Sequence, residues 1–269
     1  MHGFRLGLTE LWQYRYLVLF LTNRSFKVSY QQTLLGPLWI IINPILSALV
    51  YMFIFGHIAA LGTDGIPQIL FYFVSTSLWE LFSFSLNTNS NTFVANAYLF
   101  SKVYFPRLAV PVSDMLVSVL KFCIKLIVIA VMMAFFLAKG EISPNWMLFP
   151  VLPFLFLQMS LLGMSIGILI SSVTVKYRDI LNVVTVGVSL LMYASPVVYP
   201  LASISDGLLK TIIMINPVSE IMELIRLIML GRGEFDFKCY LAGLCVTVML
   251  FILSSLVFNR VERTFADRV

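Results

Sequence analysis

Six apolar stretches, each long enough to cross a lipid bilayer, dominate this sequence of 269 residues. A helical span needs about 20 apolar residues, because the hydrocarbon layer is about 30 Å thick and a helix rises about 1.5 Å per residue. The sequence therefore predicts an all-α integral membrane protein with six transmembrane helices. The six stretches lie near residues 35–56, 66–86, 108–138, 146–172, 180–199 and 239–258.

Composition supports this class of protein and argues against a nucleic-acid partner. Hydrophobic residues make up 60% of the chain and charged residues 12%, whereas soluble domains are about half apolar and one-quarter charged. The net charge is +5, but the 18 Lys and Arg residues are scattered singly between apolar segments. Scattered charges of this kind set membrane topology.

The distribution of Lys and Arg predicts that both termini lie in the cytoplasm. Six spans place the two termini on the same side of the membrane. With the termini inside, 11 of the 18 basic residues lie in cytoplasmic segments, 5 lie outside and 2 lie within a span. Cytoplasmic loops are enriched in Lys and Arg, so the pattern favours the orientation N-in and C-in.

The chain is predicted to form one domain, residues 1–269. Residues 1–33 carry apolar and basic residues at helical spacing, which indicates an amphipathic helix in the cytoplasmic interface. Residues 34–258 form the bundle and 259–269 a cytoplasmic tail. Between spans five and six, 208–216 and 218–230 are apolar helical pieces too short to cross, so we expect re-entrant or interfacial helices.

The sequence contains none of the motifs expected of an enzyme or of a nucleotide or metal site. It lacks a phosphate-binding G-x-x-x-x-G-K-[ST] loop, an H-E-x-x-H helix and a Cys-rich cluster, and its two histidines are far apart. We therefore expect no catalytic residue, metal or cofactor of its own.

Ionisable residues within spans are costly in hydrocarbon and are candidate functional residues. Asp114, Lys121 and Lys125 fall within about 40° of one helix face at 100° per residue. They could form an internal charge pair, or the lysines could meet an anionic phosphate group of a substrate or lipid. Glu80 is a lone carboxylate, either a hydrogen-bonded packing residue or a proton relay.

Small residues and prolines mark two special places in the spans. Gly163, Gly167 and Ser171 recur every four residues, a spacing that lets another helix approach closely, within the chain or across a dimer. Gly36-Pro37 is predicted to end the amphipathic helix and to start span one. Pro44 removes one hydrogen bond within that span, and Asn43 could satisfy the freed polar group.

Aromatic residues in spans one and five allow two interpretations. Such residues usually form interfacial belts or pack against lipid. Alternatively, their ring faces could line a pore and stack on the apolar faces of sugars. The residues concerned are Trp39, Tyr51, Phe53 and Phe55 in span one, and Tyr193 and Tyr199 in span five.

Two predicted inside loops have the character of docking surfaces. Residues 87–107 combine small polar residues with an aromatic amphipathic piece, and 171–180 concentrate charge between two spans. The alternative is that both are ordinary loops that carry orientation charges.

Four motifs, distributed along most of the chain, give it a family resemblance. They are NRSFKVSYQQTLLGPLWIIINP at 23–44, KVYFPRLAVPVSD at 102–114, VKYRDI at 175–180 and ASPVVYP at 194–200. The first contains the pattern Q-T-x-L-G-x-x-W. With these motifs the sequence resembles the permease subunit of bacterial type 2 ABC exporters of polysaccharide, most closely the O-antigen lipopolysaccharide exporters.

The resemblance implies a homodimer in the bacterial inner membrane, joined to two copies of a separate ATPase that binds ATP and Mg. The substrate would be undecaprenyl-diphosphate-linked O-antigen, and the pieces between spans five and six would be periplasmic gate helices. The alternatives are export of capsular polysaccharide or of teichoic acid, or ion-coupled secondary transport.

The resemblance also assigns roles to individual residues. It implies that the amphipathic helix and the two inside loops contact the ATPase. The predicted coupling residues are Arg24, Lys27, Tyr30, Phe93, Phe100, Phe105, Arg107, Lys176, Arg178 and Asp179. The predicted substrate path consists of Trp39, Tyr51, Phe55, Tyr193 and Tyr199, together with Lys121 and Lys125.

Overall fold

Each of the six apolar stretches contains helix in the computed structural model, which describes residues 8–96, 98 and 105–266. We number the helices in chain order. They are α1 (Leu8–Gln13), α2 (Arg15–Tyr30), α3 (Trp39–Tyr51), α4 (Gln68–Ser90), α5 (Thr92–Ala95), α6 (Ala109–Ala138), α7 (Leu152–Thr174), α8 (Ile180–Tyr193), α9 (Leu208–Ile215), α10 (Pro217–Leu230) and α11 (Phe237–Ala266).

Within the described part of the chain, five helical segments are long and apolar enough to cross a membrane: Gly36–Ile58, Gln68–Ser90, Ala109–Ala138, Trp146–Thr174 and Phe237–Phe258. They confirm an integral membrane protein of the all-α class.

The predicted fifth span, 180–199, is helical only over its first 14 residues, as α8. That length corresponds to about 21 Å, less than the thickness of the hydrocarbon layer. Pro196 explains the early end, because a proline lacks a donor and disfavours helix in the residue before it. The following turn buries Val197 and Val198. Burial within the protein is the condition under which irregular backbone is tolerated at membrane depth.

The centre of the bundle is the pair α4 and α7. Of the 23 residues of α4, 16 are buried. A Cβ atom added to Gly163 would lie 2.5 Å from the carbonyl oxygen of Phe82, and one added to Gly167 would lie 2.6 Å from that of Leu86. The small residues therefore let two backbones meet within the chain, as their spacing predicted.

The start of the first span follows the predicted role of Gly36 and Pro37. Gly36 has a positive φ of 55°, which glycine adopts at little cost. Pro37 then lies in the first turn of a short 3₁₀ helix that runs into α3. The end of this span was not predicted: Met52–Ile58 form a π-helix, a rare element that is frequently found at functional sites.

A second, smaller core ties both ends of the chain together at one end of the bundle. Val18 and Leu21 of α2 share this core with Phe258 near the end of α11. The Phe93 ring of α5 stacks on the Phe258 ring, with 4.6 Å between ring centres. We call this side of the molecule the α2 end.

At the opposite end, the two predicted short helices are present as α9 and α10. They meet at Asn216, whose side chain accepts a hydrogen bond from the Val218 N–H at 3.1 Å and so caps α10. The two helices differ in burial, because 12 of the 14 residues of α10 are buried, whereas α9 exposes large apolar residues such as Leu208 and Ile212.

Candidate functional site

A cavity of about 330 Å³ opens between α2, α3, α4 and α6, and we call it the lysine cavity. It brings together side chains that the sequence separates by up to 95 positions. Its lining consists of Tyr30, Trp39, Ile40, Asn43, Glu80, Leu81, Ser83, Phe84, Asn87, Ser118, Lys121 and Lys125. Three predicted substrate-path residues, Trp39, Lys121 and Lys125, therefore lie around one space.

The two lysines of this cavity are satisfied in different ways. Lys125 is 4% exposed and forms an ion pair with Glu80 of α4. Of the alternatives for Glu80, the structure therefore favours a packed, hydrogen-bonded carboxylate. Lys121 lies one helical turn earlier and forms no ion pair or hydrogen bond with the other described residues. Its Nζ instead lies 3.8 Å from the centre of the Phe84 ring and 5.3 Å from that of Tyr30.

Ring faces attract a cation but leave its hydrogen-bond donors free. Because Glu80 balances Lys125, the described lining of the lysine cavity carries one net positive charge, on Lys121.

Tyr30 belongs to this cavity, although the sequence assigned it to contact with an ATPase. It is the last residue of α2, and its ring helps to hold Lys121. Burial, and then the nearby Glu80 carboxylate, raise the pKa of Tyr30 above its ordinary value. The phenol therefore stays protonated and can donate a hydrogen bond into the cavity.

A second cavity of about 590 Å³ adjoins the first, because Phe84 and Asn87 line both. It lies between α2, the end of α4 and the start of α6, and we call it the amide cavity because Asn87, Asn91 and Asn96 all line it. Asp114 also lines this cavity. The predicted stripe of Asp114, Lys121 and Lys125 thus faces α2 and α4, but it spans two cavities.

The remaining substrate-path residues lie together along α3, the π-helix and the end of α8. The Tyr51 hydroxyl lies 3.6 Å from the sulfur of Met192, and the Tyr51 and Phe55 rings are 5.9 Å apart. The Tyr199 hydroxyl donates to the carbonyl oxygen of Tyr193 at 3.1 Å. The predicted path therefore consists of two groups, one at the lysine cavity and one at the junction of α3 and α8.

The predicted coupling residues divide by chemistry. The charged ones on α2 and in the loop before α8 are exposed: Arg24, Lys27, Lys176, Arg178 and Asp179. Phe93 and Phe105 are buried in the second core, and Arg107 is half-buried. Phe100 lies outside the described residues. Burial of Phe93 and Phe105 argues against direct contact with a partner, since their rings already pack inside this chain.

A buried group of charges on α10 was missed, because we expected a re-entrant or interfacial helix there. We call Glu220, Glu223 and Arg226 the α10 charge cluster. Arg226 is 1% exposed, forms an ion pair with Glu223 and lies 4.7 Å from the centre of the Phe71 ring. The repeat of charges every three residues on one helix face was the available signal.

Comparison with known proteins identifies the family. Residues 16–230 match the family described as ABC-2 type transporter. The O-antigen export system permease protein RfbA of Myxococcus xanthus is 28% identical over 263 residues, which cover 97% of this chain and 98% of that protein. Two permease proteins of the same name from Klebsiella pneumoniae are 27% and 30% identical, and each alignment covers 93% of this chain and 94% of the relative.

These matches agree with the four motifs that first gave the resemblance. Since the family match covers most of the chain and includes α2 through α10, this protein belongs to the ABC-2 type transporter family of membrane permeases.

Proposed function

We propose that this chain is the transmembrane channel subunit of an ATP-driven exporter of O-antigen polysaccharide linked to undecaprenyl diphosphate. One observation carries the proposal: three permeases named for O-antigen export align with 93–97% of the chain. The membrane concerned is the bacterial inner membrane.

The topology that fits this function has six crossings, with α8 and the turn after it serving as the fifth. The second core supports an even number of crossings, because it joins α2 near one terminus to Phe258 near the other. The excess of Lys and Arg in the segments at the α2 end favours placing this end in the cytoplasm. In this orientation α9 and α10 lie on the periplasmic side, where they would act as gate helices.

The proposed assembly contains two copies of this chain and two copies of an ATPase subunit that binds ATP and Mg. Exposed apolar side chains on the π-helix after α3 and on α8, such as Phe53, Val183 and Leu190, would contact lipid or the second copy. The exposed charges of α2 and of residues 176–179 would contact the ATPase. A movement of these contact segments would reach the bundle through the second core, which packs α2 and α5 against α6, α7 and α11.

Transport requires that ATP binding shifts the bundle between two arrangements. The apolar faces of sugars would stack on the aromatic residues near α3 and α8, as on Tyr51 and Phe55. The polymer forms no covalent bond with the chain.

Reconstitution with the ATPase subunit in proteoliposomes tests the function. We expect lipid-linked polymer to reach the opposite side only when ATP is supplied. The double variant Lys176→Glu plus Arg178→Glu reverses the charge of an exposed loop and should lower export at least tenfold. Lys238→Glu makes the same kind of change at an exposed residue of the opposite end and should leave export unchanged.

Two results would contradict this account. Export that persists without ATP and stops when an ion gradient is collapsed would identify a secondary transporter. Export by the double variant at the wild-type rate would remove residues 176–179 from the coupling surface.

A further inference from the structure

We propose that the lysine cavity binds a phosphate group carried on a lipid, and that Lys121 supplies the charge that holds it. We assign this lipid as the undecaprenyl diphosphate end of the transported molecule, and this assignment rests on the proposed function. The phosphate of an ordinary anionic membrane lipid has the same chemistry. Comparison with phosphatidylglycerol distinguishes such a lipid from the transported one.

The first argument is the balance of charge. Among the described residues that line the cavity, Glu80 is the one carboxylate, and it forms an ion pair with the buried Lys125. Lys121 is held over two rings, which position the ammonium group and leave its three N–H donors unused. Lys121 is half-buried, so its charge is only partly solvated by water, and a cavity with one spare cation favours an anionic ligand.

The second argument is an excess of hydrogen-bond donors. The side chains of Tyr30, Asn43, Ser83 and Asn87 line the cavity and form no hydrogen bond with another described residue. Asn43 was expected to satisfy the backbone group freed by Pro44, yet its amide faces this space instead. Neutral donors around a cation are the arrangement that recognises phosphate oxygens, because each oxygen accepts several hydrogen bonds.

The third argument is size and position. A volume of about 330 Å³ lies within the range of small-ligand sites and is far too small for a polymer. Lys121 lies 12 residues into α6, about 18 Å from the start of this helix. This position lies inside the apolar segment Ala109–Ala138, and the proposed function supplies a lipid-borne phosphate that the protein moves. The adjoining amide cavity, on the side of the α2 end, provides polar surface before that point.

Binding to the permease–ATPase complex in nanodiscs of phosphatidylcholine tests the proposal. Undecaprenyl diphosphate is titrated and its binding measured by native mass spectrometry. We expect Lys121→Gln to weaken binding about tenfold to hundredfold, because a charge-assisted bond is lost. Lys121→Arg should restore most of the affinity.

Lys139→Gln is the matched control. Lys139 directly follows the last residue of the same helix and also contacts a ring, with its Nζ 4.4 Å from the centre of Phe135. It is exposed and lines neither cavity. We expect binding by this variant to equal that of the wild type. Uncharged undecaprenol should bind the wild type and Lys121→Gln equally. Inorganic diphosphate should displace the lipid from the wild type, a result that does not depend on the folding of any variant.

Equal binding of undecaprenyl diphosphate by the wild type and Lys121→Gln would overturn the site, as would failure of inorganic diphosphate to compete. Phosphatidylglycerol binding as tightly, with the same dependence on Lys121, would overturn the assignment to the transported lipid. A wild-type complex that binds the lipid but does not export polymer would overturn the proposed function and leave the phosphate site standing.

Discussion

The lysine cavity and the α10 charge cluster both place ionisable side chains among apolar helices, but they satisfy those charges differently. The lysine cavity has a volume of about 330 Å³, and its Lys121 and several of its donors have no hydrogen-bond partner among the described residues. Beside the α10 charge cluster the free space is only about 10 Å³. Open space beside a cation is suited to binding, whereas a cluster with almost no free space is suited to holding the fold.

The hydrogen bonds that Glu223 accepts explain the structural role of the α10 charge cluster. Its carboxylate accepts hydrogen bonds from the backbone N–H groups of Leu201 at 3.2 Å and Glu234 at 3.3 Å, besides its ion pair with Arg226. One side chain thus connects α10 with the turn after α8 and with the loop that leads into α11. The lysine cavity has no equivalent bonds to backbone, because the described bond of Glu80 is to the side chain of Lys125.

The largest effect on stability is expected from Arg226→Met. Removal of one partner leaves the Glu223 charge buried and unpaired, which costs about 3–5 kcal/mol in comparable pairs. We expect the midpoint of unfolding by sodium dodecyl sulfate to fall sharply. The double variant Glu223→Gln plus Arg226→Met should recover part of the loss, and Lys238→Met should have no effect. Wild-type stability of Arg226→Met would mean that the cluster does not hold the fold.

Glu220 predicts how the stability of this region depends on pH. Burial, and then the carboxylates of Glu223 and Asp236, raise the pKa of Glu220 to about 7. The folded protein therefore binds this proton more tightly than the unfolded chain does. The resulting stability is fully present below the ordinary pKa of a glutamate, near 4.5, and is lost as the pH rises through 7.

We therefore expect Glu220→Gln to unfold at the same denaturant concentration as the wild type at pH 4.5. At pH 8 the variant should be more stable, by up to about 3 kcal/mol. Glu141→Gln, at an exposed glutamate, serves as the control and should show no such divergence. A difference that does not change with pH would contradict the proposed titration of Glu220.

The smallest effect on stability is expected at the lysine cavity. Lys121 has no ion pair to lose among the described residues, so Lys121→Gln should change the free energy of unfolding by less than about 0.5 kcal/mol. Unfolding of this variant is measured in the same detergent titration. A loss as large as that of Arg226→Met would make Lys121 a structural residue and would remove the contrast between the two regions.

Local sequence rules were sufficient to predict those structural features whose cause is local. Gly36 and Pro37 start the first span because their backbone preferences are independent of tertiary structure. Gly163 and Gly167 permit a close approach because only a missing Cβ is needed.

Features that depend on residues far apart in the sequence could not be predicted from local rules. The pairing of Glu80 with Lys125 joins residues 45 positions apart, and the ring of Phe93 is buried by Phe258 from the other end of the chain. The burial of α10 was missed because its amphipathic pattern is equally typical of a helix in the membrane interface. The helix in fact packs on α7 and α11, and within it Arg226 forms an ion pair with Glu223.

The rate of ATP-dependent export per folded complex, measured for Lys121→Gln beside the wild type, tests the central claim most directly. If the lysine cavity is a site of binding and not of architecture, the variant should assemble with wild-type stability and export polymer at about one-tenth of the wild-type rate or less. Export at the wild-type rate by the folded variant would contradict the account.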